Sequence, residues 1–320
     1  MISDPVWRHL DFLKNSFLFS ALAPTTINTY SSGVRQYLSF CLHFRIPPLP
    51  LRESVLENFC SSLHPRVAYK SMKVYLSGVQ CWSKMQLHDV EIASMGRLRY
   101  VLRGIRRVQG LTHAKPPRTP ITWDLLCTII SYVFHTEVPH NRDMLSSAVL
   151  LAFFGMLRVS EFTSPSRSTF DVSTHLTFND VHIDLSRRIA FINIKVSKTD
   201  PFRNGVVIRI GMLNHLLCPV LALCRYLSHR GSFTGPLFVF HDGSFLTRTH
   251  ICELLKRSLP FVPHVNSHSF RRGGATALAA AGTHSHVIQI LGRWSSDAYK
   301  KYIELSDNFI TQTFAFISHR

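Results

Sequence analysis

Residues 109–121 read QGLTHAKPPRTPI. Three prolines and Gly110 crowd this short stretch, and it has no helical periodicity. It reads as a linker, because proline removes a backbone donor and pushes its predecessor out of the helical region. The chain therefore divides into residues 1–110, a linker at 111–121 and residues 122–320. The two parts that flank the linker are each of ordinary domain size. Hydrophobic residues make up 46% of the 320, enough to build real cores, which a disordered chain lacks.

The part before the linker is helical. Residues 24–44 place Ile27, Tyr30, Val34, Leu38 and Cys41 on one stripe, with Thr25 or Thr26 as the cap. Residues 66–82 repeat the pattern with Met72, Leu76 and Val79. Residues 95–110 turn Met95, Leu98, Leu102, Ile105 and Val108 inward. The remaining face of that helix carries Arg97, Arg99, Arg103, Arg106 and Arg107, with no acidic residue inside the helix to balance them. Such a stripe is either a solvated surface or a binding face for a phosphate backbone.

After the linker come helices, then strands, then helices. Residues 121–133 and 144–157 read as helices. The apolar run within the second, AVLLAFFGML, points to a buried one. Three strands follow. Ala190, Ile192, Ile194 and Val196 share one face of the second, and Val206, Ile208 and Ile210 one face of the third. Asp200-Pro201 and Asn204-Gly205 mark a turn between them. Residues 218–227, 249–259, 268–282 and 296–305 return to helix, the third of these with Gly282 as its C-terminal cap. The fold class is mainly α: a helical N-terminal domain, then an α+β domain with a small antiparallel sheet beside its helices.

A formal net charge of +17 makes nucleic acid the leading partner, with an anionic membrane surface second. The longest apolar run is about half the roughly 20 residues a membrane span needs, and the N-terminus lacks a signal-peptide core. Seven scattered cysteines without a CxxC fit reduced thiols. Eighteen histidines show no zinc-like spacing, so no metal is expected.

Four stretches each put a cation at the edge of a regular element. GMLRVSEF has Arg158 after the apolar helix, VSKTDPF has Lys198 in a hairpin, HSFRRGGAT has His268 and Arg271 at a helix start, and LGRW has Arg293 and Trp294. Each has an ordinary explanation: Arg158 can pair with Glu161, Lys198 can be a solvated turn residue, and His268 can cap its helix. Together they match what phosphoryl transfer requires, which is cations around the equatorial oxygens, an in-line nucleophile and an acid for the leaving oxygen. Tyr299 and Tyr302 stand on one helical face just beyond. Surrounding cations favour a phenolate and so activate such a hydroxyl.

The ordered set Arg158, Lys198, His268, Arg271, Arg293/Trp294 and Tyr302 resembles the tyrosine recombinase (phage integrase) family. Its "LR.SE" motif corresponds to residues 157–161, its hairpin lysine to Lys198, its H-x-x-R to His268 and Arg271, and its nucleophile to Tyr302. SKTDPFRNG, HSFRRGGAT and LGRWSSDAYKKYI resemble the recombinases of DIRS-type retrotransposons and Cryptons. Most relatives have histidine after the Leu-Gly, and some have tryptophan. Counting from Arg271 favours Trp294, whose indole N–H can donate to a phosphate oxygen, whereas counting back from Tyr302 favours Arg293.

The resemblance implies DNA cleavage by Tyr302 through a 3′-phosphotyrosyl link, with no cofactor. Arg158 and Arg271 would clamp the non-bridging oxygens, Lys198 would be the general acid, His268 would assist proton transfer, and Glu161 would orient Arg158. It also implies that the N-terminal domain is a core-binding DNA clamp, that duplex DNA is the partner, that four protomers act on two duplexes, and that the protein works in the nucleus. The arginine stripe, Arg97 to Arg107, would face the duplex. Ile310, Phe314 and Ile317 of the tail would dock on a neighbouring protomer or on their own domain. A DNA-binding derivative that no longer cuts, and a relaxing enzyme of the type IB topoisomerase kind, are the alternatives.

Overall fold

Helix dominates on both sides of the proline-rich stretch. The structure, a computed structural model, describes residues 4–64, 66–112, 118–198, 200, 202–231 and 234–301. The chain divides into two units, Met1–Lys115 and Pro116–Arg320.

The first unit holds α1 (Pro5–Ser20), α2 (Pro24–His43), α3 (Glu53–Leu63), α4 (Tyr69–Met85) and α5 (Gly96–Thr112). Its core gathers Tyr37, Phe59, Leu56, Met72, Val79 and Leu98. α2 and α4 cross closely because each offers a glycine to the other. A Cβ on Gly33 would lie 2.6 Å from the Tyr75 Cα, and one on Gly78 would lie 2.8 Å from the Tyr30 Cα. This contact rotates α2 relative to the expected stripe. Gly33, Tyr37 and Cys41 are buried, while Ile27 and Leu38 are exposed. The helix also starts without a threonine cap. Ala23 stands at the cap position and Pro24 opens the first turn, where its missing N–H costs nothing.

α5 runs through Gly110 to Thr112, so its end overlaps the stretch expected to be linker. Gln109 is part of the reason: its side chain accepts from the Tyr69 N–H at 2.7 Å and donates to the Val67 carbonyl at 2.9 Å, tying α5 to the start of α4. Leu98 and Ile105 are buried as expected, but Val108 is exposed.

The second unit opens with α6 (Trp123–Thr136), capped by the Thr122 hydroxyl, which accepts from the Leu125 N–H at 3.3 Å. α7 (Pro139–Phe154) follows, buried from Asp143 to Phe153. A helix buried all round needs apolar residues all round, which is what the run at 148–157 supplies. The short α8 (Val159–Phe162) leads to the sheet of β1 (Val181–Asp184), β2 (Ile189–Ile194) and β3 (Val206–Gly211), antiparallel in that order. Ala190, Ile192, Ile194, Ile208 and Ile210 turn inward. Val196 lies past the end of β2, outside the alternation expected for it. Then come α9 (Pro219–Arg230), α10 (Arg248–Ser258), α11 (Ser269–Ala280) and α12 (Ser285–Gly292). Gly282, at φ +77°, lies just past the end of α11 in the left-handed region that a terminating glycine adopts.

The expected architecture, mainly helical with a small antiparallel sheet, is the one observed. The tyrosine-bearing stretch differs: a short 3₁₀ turn spans Asp297–Lys301. Tyr302 and the tail with Ile310, Phe314 and Ile317 lie outside the described residues. Among the described residues no helix is long and apolar enough to cross a membrane, and no histidine, cysteine or carboxylate group of three gathers as metal ligands would.

Candidate active site

α7 ends in a sharp turn at Gly155 and Met156, the latter at φ +45°. The turn aims two carbonyls away from the helix, and guanidinium groups take them up. Arg271, in the first turn of α11, donates from Nη1 to the Met156 carbonyl at 2.7 Å and from Nη2 to the Gly292 carbonyl. Arg293 donates to the Gly155 carbonyl at 3.0 Å and to the Met156 carbonyl at 3.2 Å. α11 reaches the turn because it carries Gly273 and Gly274. A Cβ on Gly274 would meet the Phe153 carbonyl oxygen at 2.4 Å, and one on Gly273 the Ile121 oxygen at 2.0 Å.

Glu161 is the hub of the cluster. It is 4% exposed and lies three residues past Arg158, which precedes α8. Its Oε2 accepts from the Arg158 backbone N–H at 3.0 Å and from Arg293 Nη2 at 3.0 Å; its Oε1 accepts from Arg158 Nη1 at 2.7 Å and from the Ser197 hydroxyl at 3.0 Å. Burial alone would raise the pKa of this carboxyl, but Arg293 and Arg158 outweigh it and hold the group below its usual range. The ion pair is thus kept charged in a site where a lone carboxylate would be costly.

Arg293 points inward because its backbone is left-handed, at φ 57°, ending α12. Its guanidinium is committed to Glu161 and the turn carbonyls. Trp294 takes a different place: the Arg271 guanidinium lies over its ring, 4.5 Å from the centroid, and the Tyr299 ring centroid lies 5.9 Å from that of Trp294. Tyr299 is 2% exposed and packs in a small cluster with Met156, Ala275 and Ile288. Its ring is part of the core.

His268 precedes α11 and is half-buried, and its side chain makes no capping bond. Burial and the charges of Arg118, Arg248, Arg271 and Arg158 all depress its pKa below the ordinary 6.5. Lys198 is exposed. It follows Ser197, whose hydroxyl accepts from Arg158 Nη1 at 2.7 Å.

The fold therefore gathers Arg158, Glu161, Arg271, Arg293 and Trp294 directly, brings His268 within their field, and leaves Lys198 one residue from the cluster. Three contributors were not expected from sequence: Ser197, Arg118 and Arg248. Only Ser197 carried a signal, its position beside the hairpin lysine. The five arginines of α5 belong to the other unit and are exposed. They are not all without a counter-charge, because Arg97 lies 3.4 Å from Glu57 of α3, a carboxylate distant in sequence.

No protein-family model and no curated protein matches the chain. Solved structures do. The Tn1549 transposon integrase, in complex with transposon right end DNA, superposes with a TM-score of 0.59 at 15% identity, covering 92% of this chain and 99% of that one. The XerH site-specific recombinase bound to palindromic difH substrate gives 0.61 at 16%, covering 91% and 79%. A lambda integrase dimer bound to a COC′ core site gives 0.54 at 14%, covering 92% and 76%. The structural neighbours are tyrosine recombinases, and at these identities the likeness is one of fold.

Proposed function

We propose that the chain cleaves and rejoins DNA strands through a 3′-phosphotyrosyl intermediate. The observation that carries this reading is the convergence of Arg158, Arg271 and Arg293 with one buried carboxylate, beside His268, in a fold shared with recombinases solved on DNA. Tyr302 Oη attacks the phosphorus, the P–O5′ bond breaks, and the 5′ oxygen leaves with a proton from Lys198. The 5′ hydroxyl of a partner strand then reverses the step. One ester replaces another, so the balance needs neither nucleotide nor metal.

Arg158 and Arg271 neutralise the equatorial oxygens, where a planar guanidinium fits two acceptors at once. Glu161 acts through Arg158 by fixing its orientation. His268 in its neutral form accepts or relays a proton near the attacked phosphate. Trp294 lies against the Arg271 guanidinium and Arg293 bonds Glu161 and the turn carbonyls, so both stand in the arginine cluster. Duplex DNA is the partner, and exchange between two duplexes calls for several copies of the chain. The finer reading, a mobile-element recombinase of the DIRS and Crypton kind acting in the nucleus, rests on the wording of the sequence motifs.

The test is a nicked suicide duplex, whose released fragment diffuses away and traps the covalent form. Wild type and Tyr299→Phe are expected to form the adduct, and Tyr302→Phe to lose it, as read on a denaturing gel. An adduct that survives Tyr302→Phe would remove Tyr302 as nucleophile. Tight DNA binding without an adduct from any protein would favour a DNA-binding derivative that no longer cuts.

A further inference from the structure

The connection between β2 and β3 spans residues 195–205, long for a hairpin. It is anchored by side chains. Lys195 Nζ lies 2.5 Å from Asp180 Oδ2 and donates to the Val172 carbonyl at 2.8 Å, holding the first residue after the strand. Two residues on, the Ser197 hydroxyl enters the buried ion pair: it accepts from Arg158 Nη1 at 2.7 Å and donates to Glu161 Oε1 at 3.0 Å. The Ser197 carbonyl then accepts from the Asp200 N–H at 3.0 Å, closing a turn in which Lys198 is the second residue. Asp200 Oδ2 accepts from the Gly205 N–H at 2.8 Å, which fixes the far side.

We infer that Ser197 is a positioning residue: its hydroxyl docks the hairpin onto the Arg158–Glu161 pair and so sets where Lys198 delivers its proton. The inference rests on the strand-cleavage reading above. Lys198 is exposed and carries a long side chain, and a general acid must come within about 3 Å of the oxygen it protonates. Because the Cα atoms of Ser197 and Lys198 are joined by one peptide, about 3.8 Å apart, anchoring one limits the travel of the other. The pair itself does not depend on Ser197. Glu161 still receives the Arg158 side chain, the Arg158 backbone N–H and Arg293. Loss of the serine hydroxyl should therefore fall on the lysine and spare the guanidinium clamp.

A substrate with sulfur in place of the bridging 5′ oxygen separates these two effects. When the P–S bond breaks, a thiolate leaves without needing a proton, so a misplaced general acid no longer matters, while the phosphate clamp still does. The full-length protein and its Ser197→Ala, Ser197→Thr and Lys198→Ala variants are compared on nicked duplexes of both kinds. On the oxygen substrate, Ser197→Ala is expected to slow adduct formation by about 10- to 100-fold, the scale of a small displacement of a reacting group. Ser197→Thr, which keeps the hydroxyl, should restore much of the rate. On the sulfur substrate both Ser197→Ala and Lys198→Ala should return close to wild type.

Equal losses on both substrates would mean that Ser197 acts on Arg158 instead, and no loss on the oxygen substrate would mean it does not act at all. Either result overturns the inference and leaves strand cleavage standing. Failure of the wild type to form an adduct on either substrate would overturn the cleavage reading itself, and this inference with it.

Discussion

At the scale of single residues, His268 makes the sharpest claim. Burial and then four guanidinium groups, Arg118, Arg248, Arg271 and Arg158, push its pKa below 6.5. The folded protein thus binds fewer protons here than the unfolded chain between the two pKa values. The stability this group contributes is full above about 6.5 and is lost as pH falls below that value. The imidazole is neutral at pH 7, the form a proton acceptor needs. In a titration followed by the imidazole proton resonances, the His268 midpoint should lie below 6.5, and Arg248→Ala should raise it. Bound DNA should raise it too, because phosphates neutralise the same guanidinium groups. A midpoint at or above 6.5 in the free protein would show that solvent reaches the ring and cancels the field. Some of this site was legible from sequence. Arg158 stands just before a short helix and Glu161 three residues on within it, and that spacing alone suggests their pairing. The rest was not: Arg118 and Arg248 act on His268 from segments far away in sequence, and Arg293 turns inward only because its backbone is left-handed.

At the scale of elements, the position of α11 depends on two glycines. Gly274→Ala would set a Cβ against the Phe153 carbonyl, a backbone atom with little room to give, so α11 would have to back away from α7 and draw Arg271 off the Met156 carbonyl. A destabilisation of about 1–3 kcal/mol is expected, as for other overpacked contacts, together with slower strand cleavage. Gly104→Ala should do the opposite. Gly104 lies exposed inside α5 with nothing near its missing side chain, so an alanine there should stabilise the protein by roughly 0.5–1 kcal/mol. Guanidinium unfolding of the two variants checks both signs; a Gly274→Ala protein as stable as wild type would mean the α7–α11 contact is loose. Pattern served best where an element has one buried face or a continuous apolar run, as in β2, β3, α4 and α7. It gave no reading for α1 and α12. α1 exposes Trp7, Leu10, Phe12 and Phe17, and α12 buries only Ile288 and Gly292, so neither shows a clean apolar stripe. In α2 the stripe was present but misleading, because the glycine contact with α4 decides which side faces in.

For the whole molecule the net charge of +17 predicts affinity for DNA that falls with salt, and the structure says which part of that charge is available. At about 100° per residue, Arg99, Arg103, Arg106 and Arg107 share one arc of α5, opposite the buried Leu98 and Ile105. Arg103 lies over the Tyr100 ring and Arg106 over the Tyr69 ring. Those contacts order the side chains without neutralising them. Arg97 stands apart on the other edge of the apolar face, paired with Glu57. Each arginine that contacts a phosphate releases condensed counterions, and its removal should lower the slope of log affinity against log salt by about one. Replacing the four arc residues with alanine should therefore lower the slope by up to about four, whereas Arg97→Ala should lower it by less, since Glu57 already offsets that charge. Tyr302→Phe removes the proposed nucleophile without removing a cation, so it should leave the slope unchanged while abolishing the adduct. Fluorescence anisotropy with a labelled duplex across a salt series measures all three proteins. A slope that survives loss of the four arginines would move the duplex off α5 and leave the charge of the second unit to account for binding.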